Sequence, residues 1–273
     1  KIAYELALSG AYASKRTACL LSTEGLYEAM DPLMSSAYTG VIGGFLVICI
    51  QDTEEEVTPV GLFSKLPLIA SDGMENLAIS VSFGYTISEK YEIPVIIQAA
   101  PGDDTFQRTE DRRQKTEDKK VYSEHLAPNI QHSIFPKNPN RWAATPKFRY
   151  QLHKQLNEKI ERIRDEFERY EGNRVVKNGK TGIISYKSRF LQFFDESSSI
   201  LNLATIHPLP NKLIHAFVED MDKVFVIEGE YPAIELQIEE RVKVKVEHMS
   251  GSHEIMKHEE LLYGFRTVRD TLG

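Results

Sequence analysis

The chain has 273 residues, 41% of them hydrophobic and 27% charged, with 33 Lys and Arg against 40 Asp and Glu and two cysteines. That length suits one large α/β domain or two ordinary ones, and the charged fraction is that of a globular protein. A formal charge of -7 disfavours an extended nucleic-acid footprint, and no apolar run approaches the roughly 18 residues of a membrane span. Cys19 and Cys49 each sit inside an apolar run and supply no disulfide framework, zinc site or iron–sulfur ligand set. Neither nucleic acid nor a membrane is expected as a partner, and a reducing cytoplasm is the default location.

The chain opens at Lys1 on an amphipathic helical pattern (Ile2, Ala3, Leu6, Ala7) with no capping residue ahead of it. That start is expected where further chain precedes the helix. A short buried strand follows at Ala18–Ser22, then a helix over about Gly25–Ala37 with Leu26, Ala29, Met30, Leu33 and Met34 on one stripe. Gly-rich turns introduce Phe45–Ile50, an almost purely apolar run of the kind buried on both faces of a parallel sheet. Leu66–Ala70 reads as another strand, Met74–Tyr91 as a helix with Leu77, Val81, Tyr85 and Ile87-Ser88 towards the core, and Pro94–Ala99 as the next strand. This alternation predicts a doubly wound α/β layer over residues 1–100.

Residues 101–172 read as a charged, proline-rich linker and a connecting helix. Asp103–Lys120 carries both signs of charge, as a docking segment or a solvated connector would, and Pro128, Pro136, Pro139 and Pro146 keep the chain extended. Lys147–Glu171 predicts a long polar helix with the stripe Leu152, Leu156, Ile160, Ile163 and Phe167, ended by Gly172-Asn173. Residues 173–273 predict a second, smaller α/β domain. Its strands are Thr181–Tyr186, Ile200–Ile206, Lys223–Glu230 and Val242–Met249, and its helices lie near Lys187–Phe194, Pro210–Val218 and Ala233–Glu239. The alternation of Val242, Val244 and Val246 with charged residues marks a half-exposed edge strand.

Most catalytic signatures are absent, including the P-loop, the dinucleotide fingerprint, the nucleophile elbow and the metalloprotease helix. His248, His253 and His258 are five apart among polar residues, as a metal site or a solvated loop would have them. The informative place is the strand end Ser22-Thr23-Glu24-Gly25, because ligands in an open parallel sheet bind outside the carboxyl ends of the strands. Ser22 and Thr23 offer hydroxyls, Gly25 permits close backbone approach, and Glu24 or Glu28 could accept from a heterocycle's ring nitrogen or amine. The alternative is that Thr23 caps the next helix and the glutamates complement its dipole.

Several short motifs follow in a fixed order: Ser9-Gly10-Ala11-Tyr12-Ala13-Ser14-Lys15-Arg16, Gly25-Leu26, Asp31-Pro32-Leu33, Ala37-Tyr38-Thr39-Gly40 and Gly43-Gly44. Ser88-Glu89-Lys90-Tyr91-Glu92-Ile93-Pro94-Val95, Arg141-Trp142, His207-Pro208-Leu209-Pro210 and Val224–Gly229 continue the series. This order resembles the α subunits of 2-oxoacid:ferredoxin oxidoreductases, most closely the indolepyruvate type, across nearly the whole chain outside Asp103–Lys120. The resemblance implies a parallel-sheet pyrimidine-binding domain of a thiamine-diphosphate enzyme, N-terminally incomplete, followed by a transketolase-C-terminal-like domain.

It further implies oxidative decarboxylation of a 2-oxoacid such as an aryl pyruvate, with electrons passing through iron–sulfur clusters to ferredoxin and release of an acyl-CoA. A glutamate activates the aminopyrimidine in this family by favouring the imino tautomer. By motif spacing it is expected just before Lys1, so no catalytic residue is assigned within these residues. Ser22, Thr23, Glu24, Gly25 and Glu28 are the expected cofactor contacts. Thr58, in the Asp52–Phe63 loop, stands where the substrate-facing loop is expected.

No Gly-Asp-rich diphosphate motif or cysteine cluster occurs in the sequence. The resemblance therefore assigns magnesium and iron–sulfur clusters to a partner chain or to missing sequence, and leaves no metal ligand here. The expected partners are a subunit carrying the diphosphate domain, ferredoxin, CoA and a 2-oxoacid, in a hetero-oligomer with two-fold symmetry. The alternative function is a non-catalytic structural or regulatory relative, a reading motivated by the short Asp52–Phe63 loop and the charged insertion at Asp103–Lys120.

Overall fold

A computed structural model of the chain describes residues 1–50, 56–100, 135, 137–142, 145–187, 197–239 and 241–248. The charged run Asp103–Lys120, Pro128, Pro136, His253, His258 and the helix expected after Lys187 lie outside the described residues. In chain order the elements are α1 (Ile2–Tyr12), β1 (Thr17–Ser22), α2 (Thr23–Glu28), α3 (Met30–Thr39), β2 (Phe45–Ile50), α4 (Thr58–Ser64), β3 (Leu68–Asp72), α5 (Gly73–Tyr91) and β4 (Val95–Ala100). There follow α6 (Pro139–Trp142), α7 (Pro146–Phe167), β5 (Arg174–Val176), β6 (Thr181–Ser185) and β7 (Ser199–Asn202). The last are β8 (Thr205–His207), α8 (Asn211–Glu219), β9 (Lys223–Glu228) and β10 (Val244–His248).

Two compact units divide these elements. The first comprises Lys1–Asn173 and Leu203–Pro210, the second Arg174–Asn202 and Asn211–Gly273. The first unit is built on a sheet ordered β1-β2-β4-β3-β8, parallel throughout except for β8, which runs antiparallel to β3. β2 and β4 lie inside the sheet, which is why β2 is apolar without alternation and β4 is so apart from the buried Gln98. β1 is an outer strand, and its Leu20 is 64% exposed. On α5, Ser80, Gly84, Ile87 and Ser88 are buried, while Leu77, Val81 and Tyr85 are half-buried. The small residue at Gly84 lets the helix lie close on Leu46 and Ile97.

Helix α7, between the two domains on the sequence reading, packs in the first unit against α3 and α5. Its predicted stripe, Leu152, Leu156, Ile160, Ile163 and Phe167, is the buried one. Phe83 stacks on Tyr170 with ring centroids 4.1 Å apart, and Lys90 donates to Glu166 at 2.6 Å. Asn173 pins the end of this helix, donating to the Phe167 carbonyl at 2.9 Å and accepting from the backbone of Ala204 and Thr205.

Four local expectations are corrected. The stripe Ile2, Ala3, Leu6, Ala7 is the outer side of α1, with Ile2 82% and Leu6 73% exposed. Tyr4, Leu8 and Ala11 are buried instead, and Tyr4 sits edge-on to Phe45 at 5.1 Å. The single helix over Gly25–Ala37 is two, broken at Ala29, because Pro32 has no N–H and its ring would clash with the carbonyl of Glu28. The Ile200–Ile206 run is also two elements: β7 pairs with β5 and β6, whereas β8 pairs with β3 in the other sheet. Residues Ala233–Gln237 form turns rather than a helix.

The second unit has the sheet order β10-β9-β6-β7-β5, parallel except for β5 against β7. β10 is an outer strand, in keeping with its alternating charges. The core gathers Ile183, Ile184, Leu201, Phe217, Val224 and Val226. Glu228, at the end of β9, is fully buried; its two carboxyl oxygens accept from the backbone of Ile234 at 2.6 Å and Glu235 at 3.2 Å. Those turns are thus held by a side chain from the preceding strand.

Candidate functional site at the carboxyl ends of the first sheet

Parallel pairing puts the strand ends of the first unit in register. Ser22 lies opposite Ile50, Ile50 opposite Ala99, and Ala99 opposite Ser71, so one row of residues crosses the sheet. At the β1 end of that row, Ser22 is extended (φ -73°, ψ 172°) and its Oγ accepts from the Gly25 amide at 3.1 Å. Ser22, rather than Thr23, is therefore the residue that caps α2. Thr23 is fully buried, whereas Glu24 and Glu28 are exposed. Their carboxylates stand on the first and last turns of a six-residue helix.

The Asp52–Phe63 segment contains helix α4, which starts at Thr58 with Pro59 in its first turn, where proline's missing N–H costs nothing. Thr58 is fully buried, and its hydroxyl donates to the Glu56 carboxylate at 3.0 Å. Tyr27 of α2 donates to the Glu56 carbonyl at 2.8 Å. The predicted cofactor turn and the predicted substrate residue are thereby linked through Glu56, a residue that sequence reasoning did not single out. Residues 51–55 lie outside the described ones.

At the β3 end of the row, Ser71 is 2% exposed, and its hydroxyl has no hydrogen-bond partner among the described residues. α5 starts next to it at Gly73, in the left-handed region (φ 77°). The row thus has a helix N-terminus at each end. Among the described residues, no group of three or more His, Cys, Asp or Glu could hold a metal ion. Cys19 and Cys49 are buried free thiols, and burial pushes the Cys19 thiol up. No helix of the described residues is long and apolar enough to cross a membrane.

Removing the Ser22 hydroxyl tests the cap directly. Ser22→Ala is expected to lower the unfolding free energy by about 1 kcal/mol, because the Gly25 amide loses its acceptor. Ser22→Asp is expected to restore most of it, as measured by urea denaturation.

The opposite end of the sheet is closed by a latch that sequence reasoning reached only as part of a motif. Arg141 of α6 donates through Nε to the Thr39 carbonyl at 2.7 Å, through one terminal nitrogen to the Val41 carbonyl at 2.6 Å, and through the other to Glu92 at 2.7 Å. Two of these acceptors are carbonyls at the end of α3, where a cation is favoured. Gly40 lies between them at φ 66°, and a side chain there would meet the Glu92 carbonyl at 2.2 Å. Trp142 packs edge-on to Tyr12 at 4.9 Å. The Tyr-Thr-Gly and Arg-Trp motifs are thus halves of one joint.

No protein-family model matches the chain. Among curated proteins, it is 28% identical over 254 residues to the indolepyruvate oxidoreductase subunit IorA of Pyrococcus abyssi, covering 87% of this chain and 38% of that protein. It is 27% identical over 252 residues to the subunit of the same name from Archaeoglobus fulgidus, covering 87% of this chain and 39% of that one. The chain therefore spans less than two fifths of the length of these relatives. Its fold is similar to that of a 2-oxoglutarate:ferredoxin oxidoreductase from Magnetococcus marinus, solved with 2-oxoglutarate, coenzyme A and succinyl-CoA bound. That likeness has a TM-score of 0.59 at 16% identity and covers 91% of this chain and 52% of the other. The chain is thus similar in sequence to the IorA subunits and in fold to a 2-oxoacid:ferredoxin oxidoreductase, in line with the resemblance that its ordered motifs carry.

Proposed function

We propose that this chain is the pyrimidine-binding and transketolase-C-terminal-like part of the α subunit of a thiamine-diphosphate-dependent 2-oxoacid:ferredoxin oxidoreductase. The observation that carries the reading is sequence similarity to the IorA subunits over 87% of the chain, with the family's motifs in order. The names of those relatives favour an aryl pyruvate as the 2-oxoacid. Ferredoxin as electron acceptor, CoA as acyl acceptor and a two-fold hetero-oligomer in the cytoplasm complete the proposal.

The donor set at the carboxyl ends fits one end of the cofactor. Glu24 and Glu28 present exposed carboxylates, which accept from an amine or a ring N–H. The Ser22 hydroxyl is engaged by the Gly25 amide, so it shapes the turn, and Thr23 is enclosed beneath it. The described residues hold no acidic cluster for magnesium, and the diphosphate end is assigned to another chain or to sequence outside these residues. Thiamine diphosphate supplies the electron sink that decarboxylation of a 2-oxoacid requires. On this reading, the chain orients the pyrimidine end through Glu24 or Glu28, and α4 with its buried Thr58 shapes the substrate side.

The test is calorimetric titration of thiamine diphosphate and magnesium into the complex assembled by this chain, followed by aryl-pyruvate-dependent reduction of a viologen dye with CoA present. Saturable binding and dye reduction are expected. Glu24→Gln or Glu28→Gln, whichever carboxylate contacts the ring, is expected to weaken cofactor binding about tenfold or more. A complex that binds no thiamine diphosphate would overturn the reading. One that binds it without turning over any 2-oxoacid would identify the non-catalytic relative.

A further inference from the structure

A cavity of about 390 Å³ opens at the amino ends of the first unit's strands, between the end of α3, the α6 segment and one face of α7. That volume is at the small end of ligand sites, which run from about 300 to 1,000 Å³. Its apolar floor is Ala37, Leu152 and Leu156, all buried. Its polar wall carries Arg141, Glu92 and Lys159, and amide side chains line the mouth.

The charges in this wall are not balanced. Arg141 commits its donors to two carbonyls and to Glu92, so that cation and the Glu92 carboxylate answer one another. Among the described residues, the Lys159 ammonium donates only to a main-chain carbonyl, Glu92 O, at 3.3 Å. An ammonium has three donors, and a partly buried one that faces a second cation favours an anion beside it. Burial first, and then the nearby Arg141 guanidinium, hold the Lys159 amine below the usual lysine range, against the smaller opposing pull of the Glu92 carboxylate.

The mouth is built to donate as well. Asn138 Oδ1 accepts from the Asn140 amide at 3.1 Å, which leaves the Asn138 NH2 group as a donor. Gln151 and Gln155 lie one helical turn apart on α7, with Gln155 one turn before Lys159. A side-chain cation with amide donors around it is the complement of a single oxyanion rather than of an apolar or cationic guest.

We propose that this cavity is a binding site for a small oxyanion, a carboxylate or phosphate group borne on a polar metabolite, held by Lys159 and the amides of Gln155 and Asn138. The site does not depend on the oxidoreductase reading. Its ligand contacts lie at the amino ends of the strands, whereas the expected cofactor contacts lie at the carboxyl ends. It also gives the Arg141 latch a second role, because the same guanidinium that joins α6 to α3 holds Glu92, whose carbonyl receives the Lys159 ammonium.

The experiment is a titration of the full chain with inorganic phosphate and, separately, with acetate, at fixed ionic strength set with chloride. Binding is read from the side-chain amide signals of Gln151, Gln155 and Asn138 in nitrogen-15 spectra. Saturable shifts of these signals are expected, with Lys159→Met weakening binding about tenfold or more and Gln155→Ala weakening it less. Lys154→Met, an exposed change on the same helix, is expected to leave it unaltered. Shifts with phosphate alone assign the site to phosphate esters, shifts with acetate alone to carboxylates, and shifts with both to either group. No saturable shift with either anion, or binding that Lys159→Met leaves unchanged, overturns the proposal.

Discussion

Phe45→Ala is expected to lower the unfolding free energy of the first unit by about 3–5 kcal/mol, the cost of emptying an aromatic site in a close-packed core. Phe45 is fully buried at the start of β2, with the Tyr4 ring edge-on at 5.1 Å. Its backbone is already engaged, because its N–H donates to Ser88 Oγ at 2.9 Å. The loss is therefore one of packing rather than of strand pairing. The ring's absence also loosens Tyr4, which is fully buried and hydrogen-bonded to Ser36 at 2.7 Å. Ser36 donates to the Leu33 carbonyl, so Tyr4 is the donor in that pair.

The chain's one tryptophan, Trp142, lies in the first unit and reports its unfolding in urea by fluorescence. Ile2→Ala, on the exposed side of α1, is the internal comparison and is expected to shift stability by no more than about 0.5 kcal/mol. Equal effects at the two positions would contradict the packing described for α1.

Glu228→Ala is expected to destabilise the second unit by about 3 kcal/mol. A fully buried carboxyl group there accepts two backbone amides, Ile234 at 2.6 Å and Glu235 at 3.2 Å. Its removal leaves two donors short of an acceptor, next to the buried Ala233 and Ile234 side chains. Glu228→Gln keeps one carbonyl oxygen but turns an NH2 group towards the second amide, so roughly half the loss is expected to remain. Amide hydrogen exchange in β9 and β6 reads the effect, since the tryptophan is in the other unit. Unchanged protection in Glu228→Ala would show that the turns after β9 hold without their cap.

The parallel core was legible in the sequence wherever one residue pattern has one structural meaning. Phe45–Ile50 has no polar member and lies inside the sheet; the α7 stripe repeats at helical spacing and is the buried face. The α1 stripe misleads because two apolar stripes overlap on that helix. Ile2 and Leu6 compete with Tyr4 and Leu8, and choosing between them needs the position of β2 and α3. The helix break at Ala29 was available in principle, since Pro32 forbids a continuous turn at the residue four before it.

The split of Ile200–Ile206 was not available. Leu201, Leu203 and Ile206 are all buried, and the change of sheet between Asn202 and Thr205 depends on Asn173 and β3. Of the expected site, the turn Ser22–Glu28 was singled out from its place at a strand end, where the structure puts it, and the cap fell on Ser22 because extended backbone there presents its hydroxyl to the Gly25 amide. Glu56 and Ser71 carried no signal, being single polar residues whose roles come from what surrounds them.

The sequence by itself determined the two α/β layers, the apolar inner strands and the order of the motifs that resemble those of the 2-oxoacid:ferredoxin oxidoreductase α subunits. These are local properties: period, composition and word order survive without knowledge of the partner segments. The tertiary structure alone decided which side of α1 is buried, which sheet β8 joins, and that Arg141, Glu92 and Lys159 meet at one cavity. Those outcomes depend on residues more than a hundred positions apart, Thr39 with Arg141 and Leu68 with His207 among them. Chain separation of that size leaves no periodic trace, because each contact is set by how the layers close and not by its neighbours in sequence.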